Sequence, residues 1–197
     1  MERAKIVEWV DINAPRPKVF DLVLDVQRRM QLSPLWGVTR VEKKTADYPV
    51  EGSRYQVHFP KGEHPDYDTV VTGLLPGRRF TYRLQVARDT LVTWTVQDTP
   101  RGTRLTYEEE YLVEDGDEEA FNQNVRDVIR RWLQNLKRYV ELKERGLDRL
   151  IKWFLDRYFL NLRPDQRNVI LTVLFMHGVG ALAFLMAAIA MGLASLL

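Results

Sequence analysis

Apolar and polar side chains alternate with a period of two through most of residues 53–113, and this alternation constrains the fold more than any other feature of the chain. In "RFTYRLQVA", Phe80, Tyr82, Leu84 and Val86 fall on one side while Arg83 and Gln85 fall on the other. Such a period belongs to a strand with one buried face and one wet face. "SRYQVHF", "DTVVTGLL", "TLVTWTVQ" and "TRLTYEEEYLV" repeat it, and "VTRVEKK" and the opening "KIVEWVDI" read as two further strands. Turn signals such as "PGR" and "TPRGT" keep the connections short, which makes neighbouring strands antiparallel. The apolar face gathers Tyr55, Val57, Phe59, Phe80, Tyr82, Leu84, Val86, Val92, Trp94, Val96, Leu105, Tyr107, Tyr111 and Val113. It needs a cover.

The cover is expected downstream. From Asp117 to about Arg145, Phe121, Val125, Val128, Ile129, Trp132, Leu136, Tyr139 and Val140 recur at helical spacing, with Asp117 as the cap and Gly146 as the stop. A shorter helix is expected after Asn13, its cap, with Pro15 in the first turn and Val19, Phe20, Val23 and Leu24 as its apolar side. The prediction is an α+β fold in which a long C-terminal helix lies across a seven-stranded antiparallel sheet.

The last thirty residues, 168–197, are a different material: the chain carries 29 Lys and Arg and 27 Asp and Glu, and none of them lies there. A bilayer core is roughly 30 Å thick and is crossed by about 20 apolar residues. Fourteen Leu, Ile, Val and Phe in this segment favour insertion by roughly 4 to 8 kcal/mol. Lys152, Arg157, Arg163 and Arg167 precede it, so the positive-inside rule predicts a tail-anchored protein whose body stays in the cytoplasm. The N-terminal twenty residues contain no secretory apolar core. His177 falls within the segment, where a functional ionisable group and a neutral imidazole bonded to a backbone carbonyl are the alternatives. Ala183 and Ala187, or Ala188 and Gly192, have the spacing of a helix-packing face.

Between body and tail, Leu147, Leu150, Ile151, Phe154, Leu155, Tyr158, Phe159 and Leu162 form a helical stripe, with Asp148, Arg149, Lys152, Asp156 and Arg157 largely opposite. Such a helix either lies at the headgroup level, where Trp153 and Tyr158 suit it, or packs on the body or a second chain. The expected organisation is a domain over 1–145, an amphipathic connector over 146–163 and an anchor over 164–197. Residues 118–167 hold 12 basic and 8 acidic side chains, placing the basic excess beside the anionic membrane surface. With no nucleic-acid motif, that excess points to a lipid bilayer and not to nucleic acid. The absence of cysteine excludes disulfides, thiolate nucleophiles and Cys-ligated metals.

The runs "INAPRPKVFDLVLDV", "LSPLW", "GSRY", "LLPGRRFTYR", "GTRLTYEEEY" and "LQNLKRYVEL" resemble the polyketide cyclase/dehydrase branch of the SRPBCC superfamily over about residues 4–143. The resemblance implies the helix-grip fold shared with START lipid-transfer domains and the birch pollen allergen group. It further implies a hydrophobic cavity between sheet and long helix, used for lipids, sterols, polyketides, quinones and plant hormones. A group within it that is associated with carbon monoxide dehydrogenase similarly carries a C-terminal membrane segment.

For function, the sequence offers a short set of residues. Tyr55, Val57, Phe59, Tyr82, Leu84, Trp94, Tyr107 and Trp132 either line a ligand cavity or make a solid core, and Trp36 in "LSPLW" stands at the cavity mouth or seals the sheet edge. Glu109 is the misfit of the apolar face: a desolvated general acid, base or polar handle on one reading, a rim carboxylate on the other. His58, His64, Asp66 and Asp68 cluster around a turn without the fixed spacing of a metal site, and no metal or other cofactor is expected. No glycine-rich phosphate loop, GxSxG elbow or HExxH is present. The leading expectation is a membrane-tethered binder of a hydrophobic small molecule. Alternatives are a cyclase/dehydratase-type enzyme and an adaptor that recruits a cytoplasmic protein partner.

Overall fold

A computed structural model describes residues 2–34, 38–60, 65–85, 89–113, 118–143, 145–162 and 164–194. In chain order the elements are β1 (Glu2–Ile12), α1 (Arg16–Leu24), α2 (Val26–Gln31), β2 (Arg40–Lys43), β3 (Arg54–His58), β4 (Tyr67–Leu75), β5 (Arg79–Gln85), β6 (Thr90–Thr99) and β7 (Gly102–Val113). They continue with α3 (Glu118–Glu141), α4 (Gly146–Arg157), a 3-10 turn (Phe159–Asn161) and α5 (Pro164–Ala194). Chain contacts group residues 1–161 into one compact unit and residues 162–197 into a second.

The sheet has seven antiparallel strands in the order β1-β7-β6-β5-β4-β3-β2. β1 and β2 occupy opposite edges, so the chain between them has to cross the whole sheet. α1 and α2 make that crossing on the inward face, burying Val19, Phe20, Val23, Val26 and Met30. The predicted apolar face is inward at every described position, with Tyr55, Val57, Phe80, Tyr82, Val92, Trp94, Val96, Leu105, Tyr107 and Tyr111 buried and Phe59 and Leu84 packed against them. At the β6–β7 turn Gly102 has φ +141°, and a side chain there would run into the Ile12 carbonyl.

α3 covers the sheet with Ile129, Trp132, Leu133, Leu136 and Val140. Hydrogen bonds fix its position: Trp132 Nε1 donates to the Arg29 carbonyl at 2.8 Å, Asn135 Nδ2 to the Leu32 carbonyl at 3.0 Å and Lys137 Nζ to the Asp11 carbonyl at 2.6 Å. Three local expectations differ. Asn13 is not the α1 cap, because Pro15 holds that position in an extended conformation and the Asn13 backbone N–H instead donates to Glu141. Gly146, at φ +56°, opens α4 instead of ending α3, which stops at Glu141. Asp117 lies outside the described residues.

The sequence places a boundary after Arg145, whereas the contacts divide the chain after Asn161. The reason is local. Tyr139 Oη donates to Asp156 at 2.8 Å, Arg28 pairs with Asp156 at 3.2 Å, and Leu160 is buried, so α4 and the 3-10 turn belong with the sheet. One side of α4 nevertheless stays exposed, with Leu147, Leu150 and Trp153 in solvent, as is Tyr158 just past its end.

In the second unit α5 runs for 31 residues, with Pro164 in its first position. His177 Nδ1 shares a 2.8 Å hydrogen bond with the Val173 carbonyl one turn earlier. Among the described residues no helix is long and apolar enough to cross a membrane. The expected span therefore rests on the sequence, because it also draws on positions between 181 and 197 whose side chains lie largely outside the described set.

Candidate functional site

Register brings the inward rings together. Phe80 pairs across to Trp94 and Trp94 to Tyr107, while Tyr82 pairs to Val92 and Val92 to Glu109. α3 then sets Trp132 against this layer, with ring centroids 5.3 Å from Trp94 and 5.8 Å from Tyr107. Trp94 and Tyr107 are themselves 4.8 Å apart, edge to face. At this end of the sheet the rings fill the interior, as edge-on aromatic contacts favour.

Toward β3 the packing loosens. Tyr48, Tyr55 and Tyr82 continue the ring series at 5.7 and 6.1 Å, and a cleft of about 360 Å³ opens beside them between the α1–α2 junction and β2. Leu24, Val26, Val41, Tyr48, Pro49 and Tyr55 give it mostly apolar walls, with Asp25, Gln27 and Lys43 around them. A larger hollow of about 930 Å³ lies near the β6–β7 turn, walled by Asp11, Asp98, Arg101, Arg104 and Lys137. Its groups are charged and partly paired with one another, Asp11 with Arg104 at 2.8 Å, so it does not suit an apolar ligand. Val57 is buried, Phe59 packs on Tyr67 at 5.5 Å, and Trp36 lies outside the described residues.

Three charged or titratable groups reach this interior. Glu109 accepts a 2.5 Å hydrogen bond from Tyr107 Oη. Burial holds its carboxyl above the ordinary range, and the Tyr107 hydroxyl opposes that rise. The same burial pushes the Tyr107 phenol far up, with the Glu109 charge adding to it. Glu8, on β1, faces inward opposite Tyr107 and is 8% exposed. It takes hydrogen bonds from Arg126 at 3.2 Å and from Arg130 at 2.9 and 3.1 Å, both on α3.

The third group is Arg29, which the sequence reading passed over. It is 0% exposed, and its guanidinium lies among the rings of Tyr82 and Trp94, each at 5.2 Å, and Phe80 at 5.5 Å. Nη1 donates to the Val23 carbonyl, while Nε and Nη2 have no hydrogen-bond partner among the described residues. Thr69 Oγ1, on the inward face of β4, is likewise buried and unpartnered. The Tyr48, Tyr55, Tyr67 and Tyr82 phenols are all raised by burial, against which the Arg29 charge works in each case. The signal was present in the chain: Arg29 stands seven residues after Leu22 and three after Val26, on the row of α2's apolar side chains.

His58 lies outside this interior. Its Nδ1 shares a 2.7 Å hydrogen bond with Asp66 and its Nε2 a 3.3 Å one with Glu42, while His64 is outside the described residues. Among the described residues no group of three or more His, Asp or Glu is arranged to hold a metal ion.

A seven-stranded antiparallel sheet closed by one long helix, with a ring-lined interior between them, is the architecture that the resemblance implies. The sequence model of the family described as polyketide cyclase/dehydrase and lipid transport matches residues 3–141. The chain belongs to this family. The cyclase/dehydrase match ends with α3 and leaves α4 and α5 outside it. No curated protein matches the chain in sequence.

Among solved structures, the cyclase/dehydrase fold is similar to that of protein CV1439 from Chromobacterium violaceum, 20% identical over 71% of this chain and 99% of that one, with TM-score 0.55. Protein MLL2253 from Mesorhizobium loti is 17% identical over 68% and 95% of the two chains, at TM-score 0.54. DynU16, a protein in the dynemicin biosynthetic locus, is 21% identical over 70% of this chain and 47% of its own, also at 0.54. At such identities the likeness is one of fold.

Proposed function

We propose that this chain binds a hydrophobic small molecule, such as a lipid, a quinone or a polyketide-like compound, and does so while tethered to the cytoplasmic face of a membrane. The observation that carries the binding reading is the apolar cleft at Tyr48 and Tyr55, which meets the ring-lined interior of a cyclase/dehydrase and lipid transport domain. The tether reading rests on the uncharged residues 168–197 and on the exposed apolar side of α4 beside Arg149, Lys152 and Arg157. A binder held at the bilayer shortens the aqueous path of an apolar ligand. Two measurements test the two parts. Native mass spectrometry with organic extraction of the purified full-length chain is expected to find an apolar molecule bound, and a chain that carries none and takes up no lipid, quinone or polyketide probe overturns the binding part. Carbonate washing of membranes is expected to retain the full-length chain and release one cut after Asn161. Release of both overturns the tether.

The paired Tyr107 and Glu109 favour a second reading, proton-transfer catalysis on such a ligand, since a half-buried carboxyl with a raised affinity for protons is suited to general acid or base work. If Glu109→Gln and Tyr107→Phe bind ligand normally and no candidate substrate is turned over by the unaltered chain, this second reading fails.

A further inference from the structure

A buried arginine without a counterion needs an explanation. Burying a charge is costly unless it is paired, and Arg29 is wholly buried with the Val23 carbonyl, the neighbouring Tyr82 hydroxyl and three ring faces as its compensation. The two unpartnered nitrogens are informative, because Nε and Nη2 form one edge of the guanidinium and their N–H bonds run parallel. That edge is the geometry that receives two oxygens of one planar oxyanion. Among the described residues no carboxylate takes the position: Glu8 is committed to Arg126 and Arg130, and Glu109 to Tyr107. Thr69 Oγ1, also unpartnered on the inward face, offers a neutral polar contact beside an otherwise apolar lining.

We infer that Arg29 anchors the head of the ligand, which is an apolar molecule ending in a carboxylate that pairs with the free guanidinium edge. The inference rests on the binding function proposed above and names the chemical class of its ligand. The rings of Tyr82, Trp94 and Phe80 hold the guanidinium plane in place, and Trp132 fixes α2 through the Arg29 carbonyl. The anchor is therefore set before the ligand arrives, which reduces the ordering cost of binding. Tyr55 lines the cleft and packs at 6.1 Å on Tyr82, one of the three rings around Arg29, so the cleft is the side on which an apolar tail would leave.

The test uses the full-length chain in phosphatidylcholine nanodiscs, titrated at pH 8 with dansyl-undecanoic acid and, separately, its methyl ester. Energy transfer to the dansyl group from the five tryptophans of the chain, of which Trp94 and Trp132 stand beside Arg29, reports binding, with empty nanodiscs as the blank. The acid is expected to bind about 10- to 100-fold more tightly than the ester, the range of a hydrogen bond to a charged group. In Arg29→Met, the acid is expected to fall to the affinity of the ester while the ester stays unchanged. Arg29→Lys keeps the charge and loses the parallel pair of N–H groups, so it is expected to retain only part of the preference. Equal binding of acid and ester by the unaltered chain overturns the anchor while leaving hydrophobic binding intact. A full preference surviving in Arg29→Met, or in Arg29→Lys should Arg29→Met fail to fold, overturns it as well. Failure of both probes to bind overturns the binding function together with this refinement.

Discussion

Glu8 and Arg29 both carry charge on the inward side of one sheet, and the fold compensates the two in opposite ways. Glu8 sits at the β1–β7 edge under the first half of α3, where two arginines reach over it with three hydrogen bonds while their own ends stay partly in solvent. Arg29 lies under the centre of the sheet with three aromatic rings, one backbone carbonyl and two unused donors. The first is a strut. Its charges were brought together by folding, and removing either side leaves the other without its partner. The second keeps hydrogen-bonding capacity that folding alone does not use, and unused capacity inside a protein costs stability that a ligand can return. On one apolar face the contrast separates a charge used for packing from a charge kept for binding.

The largest effect tests the strut. Glu8→Lys sets a third positive charge beneath Arg126 and Arg130 and is expected to destabilise by about 3–5 kcal/mol, seen as a lower urea midpoint at unchanged slope. A loss below about 1 kcal/mol would reduce the Glu8 pairs to surface ion pairs and dissolve the contrast. The next effect has the opposite sign. Arg29→Met replaces a buried charge that has no counterion with an apolar side chain of similar length and is expected to raise stability by about 1–4 kcal/mol in the ligand-free chain. A comparable loss would make Arg29 a second strut.

Smaller again, Trp132→Phe keeps a ring against Trp94 and Tyr107 but removes the 2.8 Å hydrogen bond to the Arg29 carbonyl. About 1–3 kcal/mol is expected from the buried carbonyl left without a donor. Because that bond positions α2, the acid-over-ester preference should fall in the same variant. If stability drops and the preference does not, α2 is held by its apolar contacts alone.

How much of this the chain declared depends on how local the cause is. The inward positions of β3, β5, β6 and β7 were legible because period two is a property of the strand itself, and Phe80, Trp94 and Tyr107 fall where alternation puts them. Glu8 obeys the same rule, standing in register with Ile6, Val10 and Ile12, but the sequence reading passed over it, because a charge at an apolar position reads as an exception until α3 supplies its partners. Arg29 was harder. Its burial depends on rings more than fifty residues away in sequence, and α2 has only six residues in which a helical period shows. Residues 146–161 show the same limit from the other direction. Their stripe predicted an amphipathic helix, but its attachment to the body came from Tyr139 and Arg28 meeting Asp156, a pairing without a periodic signature.

The smallest prediction concerns Glu109, which stands between the two cases: a half-buried carboxyl with one neutral partner, the Tyr107 hydroxyl. Burial raises its affinity for a proton in the folded chain, and the tyrosine bond only partly opposes this. The folded state therefore holds that proton to higher pH than the unfolded state does. Stability then falls as pH rises from the ordinary carboxylate range, near pH 4, through the raised folded value, and the penalty is complete above it. Glu109→Gln has no proton to lose, so it removes this slope. The variant and the parent should be equally stable near pH 4, and the variant the more stable of the two at pH 8. Urea midpoints at the two pH values make the measurement, and the difference should be the smallest of the four. A variant that is less stable at pH 8 would show that the Tyr107 bond outweighs burial, which would move Glu109 to the side of Glu8 as a partnered, structural charge.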